Sequence, residues 1–204
     1  MKIAIIDYGM GNIHSVSKAI ELCGAKPIIT NKKDQLNSCG KIVLPGVGAF
    51  DDAIAELEKL GLISVIKEQI KNKKPILGIC LGMQLLFEGS QEAKSKEGLG
   101  ILKGQVIKFS AKLGQKVPHM GWNNLENVSA NCFLLNRVSA KEQVYFCHSY
   151  YPDPVEKDII VATCDYGVKF ACALAKDNIY GVQFHPEKSQ AIGLKIINNF
   201  VELC

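Results

Sequence analysis

Between residues 2 and 87 the chain alternates short β-rich runs with amphipathic helical stretches, and this order is its strongest constraint on fold. Residues 2–7 read as a strand. Residues 12–23 read as a helix, with Ile13, Val16, Ala19, Ile20 and Cys23 on one face and Gly24 as its stop. Residues 26–30 and 40–44 read as two more strands, 50–60 and 62–72 as helices. A strand at 75–79 runs directly into helix-like Leu81–Phe87. Such a β-α-β-α order implies a parallel sheet with helices on both faces. The second half differs. Segments 104–109, 143–147, 158–164, 168–175 and 178–184 are short, β-rich and separated by turn residues. They are expected to extend the same sheet in antiparallel or mixed fashion. Ser90–Gly98 reads as a loop, and a last helix over 188–203 closes the chain. The expected fold is α/β, a three-layer sandwich around a mainly parallel, mixed central sheet, in one domain spanning 1–204.

Composition narrows the function classes. A chain of 204 residues with 48% hydrophobic residues can bury a full core without disulfide or metal staples. The net charge is +4, Arg137 is the lone arginine, and the pairs Lys32-Lys33 and Lys73-Lys74 are scattered. A nucleic-acid binder normally shows a clustered basic stripe, so nucleic acid is not an expected partner. No apolar stretch is long enough for a membrane span. Met1-Lys2 runs straight into strand-like sequence, unlike a signal peptide. The eight cysteines form no C-x-x-C pair and no metal signature. Cys147 and Cys172 sit inside apolar runs, where a thiol behaves as a small hydrophobe. A reducing cytoplasm is the expected compartment, with no metal or organic cofactor.

The sharpest local signal is Gly78-Ile79-Cys80-Leu81-Gly82, which follows a strand and opens a helix. This is the G-x-nucleophile-x-G elbow in cysteine form. The tight turn requires small flanking residues. The helix start favours thiolate, and the Leu81 amide is placed to donate to an oxyanion. A buried structural cysteine between two glycines is the competing reading of the pentapeptide alone. A thiolate also needs an acid–base partner. Of His14, His119, His148 and His185, the last follows strand-like Ile179–Phe184 in His185-Pro186-Glu187. Proline ends the strand there, and Glu187 is close enough to fix the imidazole tautomer. In isolation, a surface histidine is the alternative.

Two glycine loops follow strands. Tyr8-Gly9-Met10-Gly11-Asn12 lacks the third glycine and the acidic residue of a dinucleotide fingerprint, and reads as a tight turn. Pro45-Gly46-Val47-Gly48-Ala49-Phe50 is either a plain turn or the second oxyanion donor, its glycines leaving amides unobstructed.

Taken together these residues resemble the class I (triad) glutamine amidotransferases, and among them the glutaminase subunits of imidazole glycerol phosphate synthase. The resemblance runs through both glycine loops, the elbow as far as Leu86, Gly98-Leu99-Gly100, Pro118-His119-Met120-Gly121-Trp122-Asn123, His148-Ser149-Tyr150 and Gly181–Ser189. It implies a flavodoxin-like fold and a Cys80–His185–Glu187 triad. It implies oxyanion amides from Leu81 and from the loop at Val47 and Gly48, with glutamine held by Gly46, Gln84, Glu92, Ser149 and Tyr150. It places Asn12, Trp122 and Lys188 toward a (β/α)8-barrel cyclase subunit in a heterodimer. Three rivals remain at this level: a paralogous glutaminase serving another synthase, a stand-alone cysteine hydrolase, and an inactive binding module.

Overall fold

The computed structural model describes residues 1–110 and 115–204. The first half follows the alternation: β1 (Lys2–Ile6), α1 (Ile13–Leu22), β2 (Lys26–Thr30), α2 (Lys33–Ser38), β3 (Lys41–Leu44), α3 (Phe50–Lys59), α4 (Leu62–Lys71), β4 (Ile76–Ile79) and α5 (Leu81–Gln84). Then come β5 (Gly89–Ser90), β6 (Gly104–Lys108), β7 (His119–Asn124), β8 (Gln143–His148), β9 (Tyr150–Pro154), β10 (Ile160–Asp165), β11 (Lys169–Lys176), β12 (Ile179–Val182) and α6 (Gln190–Leu203).

The central sheet has seven strands in the order β10-β11-β12-β4-β3-β1-β2. The contacts among β12, β4, β3, β1 and β2 are parallel, and β11 and β10 add an antiparallel edge. Alternate side chains of β1 point to opposite faces, as the strand period demands. Ile3 and Ile5 join a core with Val16, Ala19 and Ile20 of α1 and Ile196, Ile197 and Phe200 of α6. Ala4 and Ile6 join a second core with Leu36 of α2, Ile54 and Leu57 of α3, and Ile66 of α4. Two helical layers therefore sandwich the sheet. Lys41, buried in β3, ties strand to helix: its ammonium donates to the carbonyls of Phe200 and Val201, each at 2.8 Å. These are last-turn carbonyls of α6 that the helix itself leaves unpaired.

Two expected extensions of the central sheet lie elsewhere. Residues 104–108 pair with β5 and β9 in a separate three-stranded sheet, and 143–148 pair with β7 in a two-stranded ribbon. The reason is burial on one face. In β8, Val144, Phe146 and His148 are buried while the intervening residues reach the surface. β4 and β12, by contrast, are buried on both faces. A strand with one apolar face covers a sheet from the side; one apolar on both faces occupies its middle. The six-residue α2 was not foreseen, and its single buried residue, Leu36, leaves no periodic stripe to read. Among the described residues no helix is long and apolar enough to cross a membrane.

Parallel pairing of β3, β4 and β12 brings their C-terminal ends side by side. The loops at 45–49, at Cys80 and at 183–188 therefore meet at one edge, where open α/β sheets form their sites.

Candidate active site

Cys80 is held at φ 53° and ψ −112°, a left-handed conformation that costs a non-glycine residue energy. Its N–H donates to Val182 at 2.8 Å, so the sheet register extends up to the elbow itself. The flanking glycines are sterically required. A Cβ on Gly82 would lie 1.9 Å from the Leu44 carbonyl oxygen, and one on Gly78 would lie 2.8 Å from that of Gly82. The 45–48 loop rests directly on the start of α5. A Cβ on Gly46 would meet the Tyr8 hydroxyl at 2.7 Å and the Gly82 nitrogen at 2.8 Å. The Tyr8 hydroxyl in turn donates to the Pro45 carbonyl at 2.8 Å, fixing that loop from below.

His185 sits one strand away, beyond the end of β12. Its N–H donates to the Tyr145 carbonyl at 2.9 Å, and its own carbonyl accepts from the Ser189 hydroxyl at 2.7 Å. Its Nδ1 lies 2.9 Å from Glu187 Oε1. Burial works against charge on the ring. The hydrogen bonds and negative charge that Cys80 and Glu187 offer outweigh it and push the imidazole up to about 10. The Glu187 side chain is fully buried; its Oε1 also accepts from Asn12 Nδ2 at 3.2 Å, while Oε2 has no hydrogen-bond partner among the described residues. A carboxylate in that position depends on a cation beside it.

A cavity of about 290 Å³ opens between these groups. Val47, Gly48, Cys80, Leu81, Gln84, Glu92, Ser149, Tyr150, His185 and Lys188 all line it. Gly46 is not among the lining residues and packs closely against Gly82 and Tyr8. Glu92 accepts from the Phe50 N–H at 3.0 Å, at the start of α3. Burial pushes its carboxyl up, and that hydrogen bond partly offsets the rise. Lys188 lies over the Tyr145 ring, and Trp122, part-exposed at 45%, packs edge-on against the same ring at 6.0 Å. Lys188 thus lines the cavity, while Trp122 reaches it only through Tyr145 and itself faces a separate depression with Ser189 and Gln190; Asn12, expected toward a partner, donates instead to the Glu187 carboxylate. A wider depression of about 830 Å³ along residues 88–100 contains no nucleophilic cysteine and lies away from Cys80.

The profile of the family described as Glutamine amidotransferase class-I matches residues 4–203. The chain belongs to this family. Among its relatives is an imidazole glycerol phosphate synthase subunit HisH from Gloeothece citriformis, 49% identical over 200 residues, covering 98% of this chain and 94% of that one. Another of the same description, from Acinetobacter baylyi, is 44% identical and covers 98% of both chains. Solved structures share the fold at lower identity. PurLQS from Thermotoga maritima superposes with a TM-score of 0.77 at 20% identity, covering 98% of this chain and 97% of that chain. A structure described as glutamine amidotransferase gives 0.76 at 15%, with the same coverage.

Within this glutamine amidotransferase, sequence reasoning overlooked three buried polar residues beside the elbow. Gln183, fully buried, donates to Cys80 Sγ at 3.7 Å. His148 lines the cavity, and His119 stands behind it, its Nδ1 3.0 Å from His148 Nε2. The available signal was alternation: in β8 the inward positions read Val144, Phe146, His148, and a histidine in an apolar register calls for a buried partner.

Proposed function

We propose that this chain is the glutaminase subunit of imidazole glycerol phosphate synthase, serving histidine biosynthesis in the cytoplasm. It works in a heterodimer with a (β/α)8-barrel cyclase. The observation that carries the reading is Cys80 at a strained strand–helix elbow on the same cavity as His185, whose ring is 2.9 Å from the buried Glu187. The family membership and the relatives' shared description support it.

In this mechanism the Cys80 thiolate attacks the side-chain carboxamide of glutamine. The amides of Leu81 and of the Val47–Gly48 loop receive the negative charge on the carbonyl oxygen. His185, kept protonated by Glu187, delivers its proton to the departing nitrogen, and ammonia leaves a γ-glutamyl thioester. His185, now neutral, takes a proton from water, and the resulting attack on the thioester frees glutamate and the thiolate. Glu92 pairs with the substrate's α-ammonium, and Gln84, Ser149 and Tyr150 complete the substrate's surroundings. Trp122 and Lys188 face the cyclase, which receives the ammonia before bulk water protonates it.

The test is glutamate release with and without a barrel cyclase subunit and its nucleotide substrate. The expected result is slow turnover alone, strong acceleration in the complex and abolition by Cys80→Ala. High turnover by the isolated chain, or wild-type turnover by Cys80→Ala, overturns the reading.

A further inference from the structure

One backbone carbonyl sets the direction of a buried chain of polar groups that ends on the nucleophile. The Tyr150 carbonyl accepts from His148 Nδ1 at 2.8 Å and from Gln84 Nε2 at 2.9 Å. Imidazole nitrogens and amide ends exchange roles by a proton shift or a flip; a backbone carbonyl does not. His148 therefore carries its proton on Nδ1, and its Nε2 accepts from His119 Nδ1 at 3.0 Å. His119 is then an Nδ1–H tautomer as well, its Nε2 accepting from Asn123 Nδ2 at 3.3 Å. Asn123 is itself pinned, because the same nitrogen donates to the Asp165 carbonyl at 2.8 Å. Backbone carbonyls thus fix both ends of the histidine pair. A second proton on either ring would set two N–H groups head to head.

The other branch runs toward the sulfur. Gln84 must present its nitrogen to Tyr150, and that nitrogen also donates to Gln183 Oε1 at 3.0 Å. Gln183 is left with its nitrogen toward Cys80 Sγ, at 3.7 Å. Its own backbone is held by the Cys172 carbonyl at 2.9 Å, so the amide cannot drift from the elbow. Gln84 keeps Oε1 as the acceptor it offers to the cavity it lines.

We infer that Gln183 is a further catalytic residue, its amide N–H holding the Cys80 thiolate, and that His119 and His148 are positioning residues that keep the donor direction of this chain fixed. The inference rests on Cys80 being the nucleophile. A buried N–H aimed at sulfur stabilises the anion over the thiol. It also leaves the imidazole of His185 free for proton transfer to nitrogen rather than serving as the thiolate's sole partner.

The experiment measures iodoacetamide alkylation of Cys80 across pH, by peptide mapping, in wild type, Gln183→Met and Gln183→Glu, each assembled with a barrel cyclase. Tyr8 and His185 bear on Cys80 in all three proteins, so their contributions are common to the comparison. Loss of the donor in Gln183→Met moves the alkylation midpoint up by about one pH unit. Gln183→Glu, of equal size but unable to donate when ionised, moves it further. The rate of glutamate release falls by roughly 10²-fold with little change in KM, as for loss of a charge-stabilising donor. A packing role would move the two variants alike. A wild-type midpoint in Gln183→Glu overturns the inference while leaving Cys80 as nucleophile. Wild-type glutamate release by Cys80→Ala instead overturns the reading beneath it. Nitrogen-15 spectra of the wild-type histidines need no variant: Nδ1–H on both His119 and His148 is expected, and Nε2–H on His148 overturns the positioning role.

Discussion

Two walls of one cavity hold histidines that burial affects in opposite ways. Beyond β12, His185 is pushed up to about 10, because two acidic partners override the cost of burying its charge. On the β7–β8 ribbon, burial pushes His148 down to about 3, with His119 and His185 adding to the fall against the Tyr150 hydrogen bond. His119 behind it is pushed down to about 4 by burial alone. The chemistry of the ring is the same in each case. What differs is the partner: a carboxylate and a thiol on one wall, a carbonyl and a second imidazole on the other. Burial penalises charge everywhere, and only a stored counter-charge reverses the sign. The cavity thus sets one imidazole that favours its charged form beside two that favour the neutral one.

The comparison breaks most sharply at Glu187. Glu187→Gln keeps the shape and removes the counter-charge, so His185 should fall toward the ordinary imidazole range. Glutamate release by the assembled complex should drop by roughly 10³–10⁴-fold, the scale seen when the orienting carboxylate of such a triad becomes an amide. Initial rates across pH check this; a loss of less than tenfold would show that another group holds the imidazolium.

Stability against pH tests both walls at once. His185 has a folded pKa above its unfolded value, so its pairing stabilises fully below about pH 6.5 and the contribution is lost as pH rises toward 10. His119 and His148 have folded values below the unfolded one. Their contribution is present above about pH 6.5 and is lost as pH falls toward 4 and 3. In urea unfolding, the gap between wild type and His185→Gln should narrow on the alkaline side. The gap to His148→Phe should narrow on the acid side. Each slope is about 1.4 kcal/mol per pH unit for one proton. Parallel profiles for the two variants would erase the distinction between the walls.

The smallest effect is expected at Asn12. Its amide is the second donor to Glu187 Oε1, so Asn12→Ala should loosen the carboxylate and slow turnover about fivefold, the scale of one hydrogen bond. Steady-state kinetics check it. A loss comparable to that of Glu187→Gln would mean that Asn12 controls the charge of the carboxylate rather than its position.

Much of this arrangement was legible in the sequence because it depends on local pattern. The alternation over 2–87 gives the parallel half of the sheet. The glycines around Cys80 mark a turn that no side chain would fit, and the proline after His185 marks a strand end. The remainder depends on which distant segments meet. β6 and β8 read as strands correctly, but their separation from the central sheet follows from being apolar on one face only. Nothing local reveals that a glutamine at 183 points at a cysteine at 80, or that His119 and His148 share a proton direction. Gly46 was legible as a glycine that lets amides approach, but its tight packing against Gly82 appears only once the 45–48 loop rests on α5. Asn12 lies in a turn whose side chain reaches across to Glu187 only after α1 and the 186–188 turn have packed together.

The pairing of β4 with β12 carries a consequence for the order in which the protein becomes able to act. Ile79 stands opposite Val182, so the proposed nucleophile and base come from segments about a hundred residues apart in the chain. A ribosome emitting this polypeptide releases Cys80 long before His185 and Glu187 exist. During that interval the thiol has neither a base nor the Gln183 amide beside it, and the strand destined to lie next to β4 is missing. Late, non-local pairings are the slow steps of folding. Under the proposed mechanism, amide-splitting ability therefore waits for residues 183–187, and a chain that stops short of them carries the thiol without the groups that would use it.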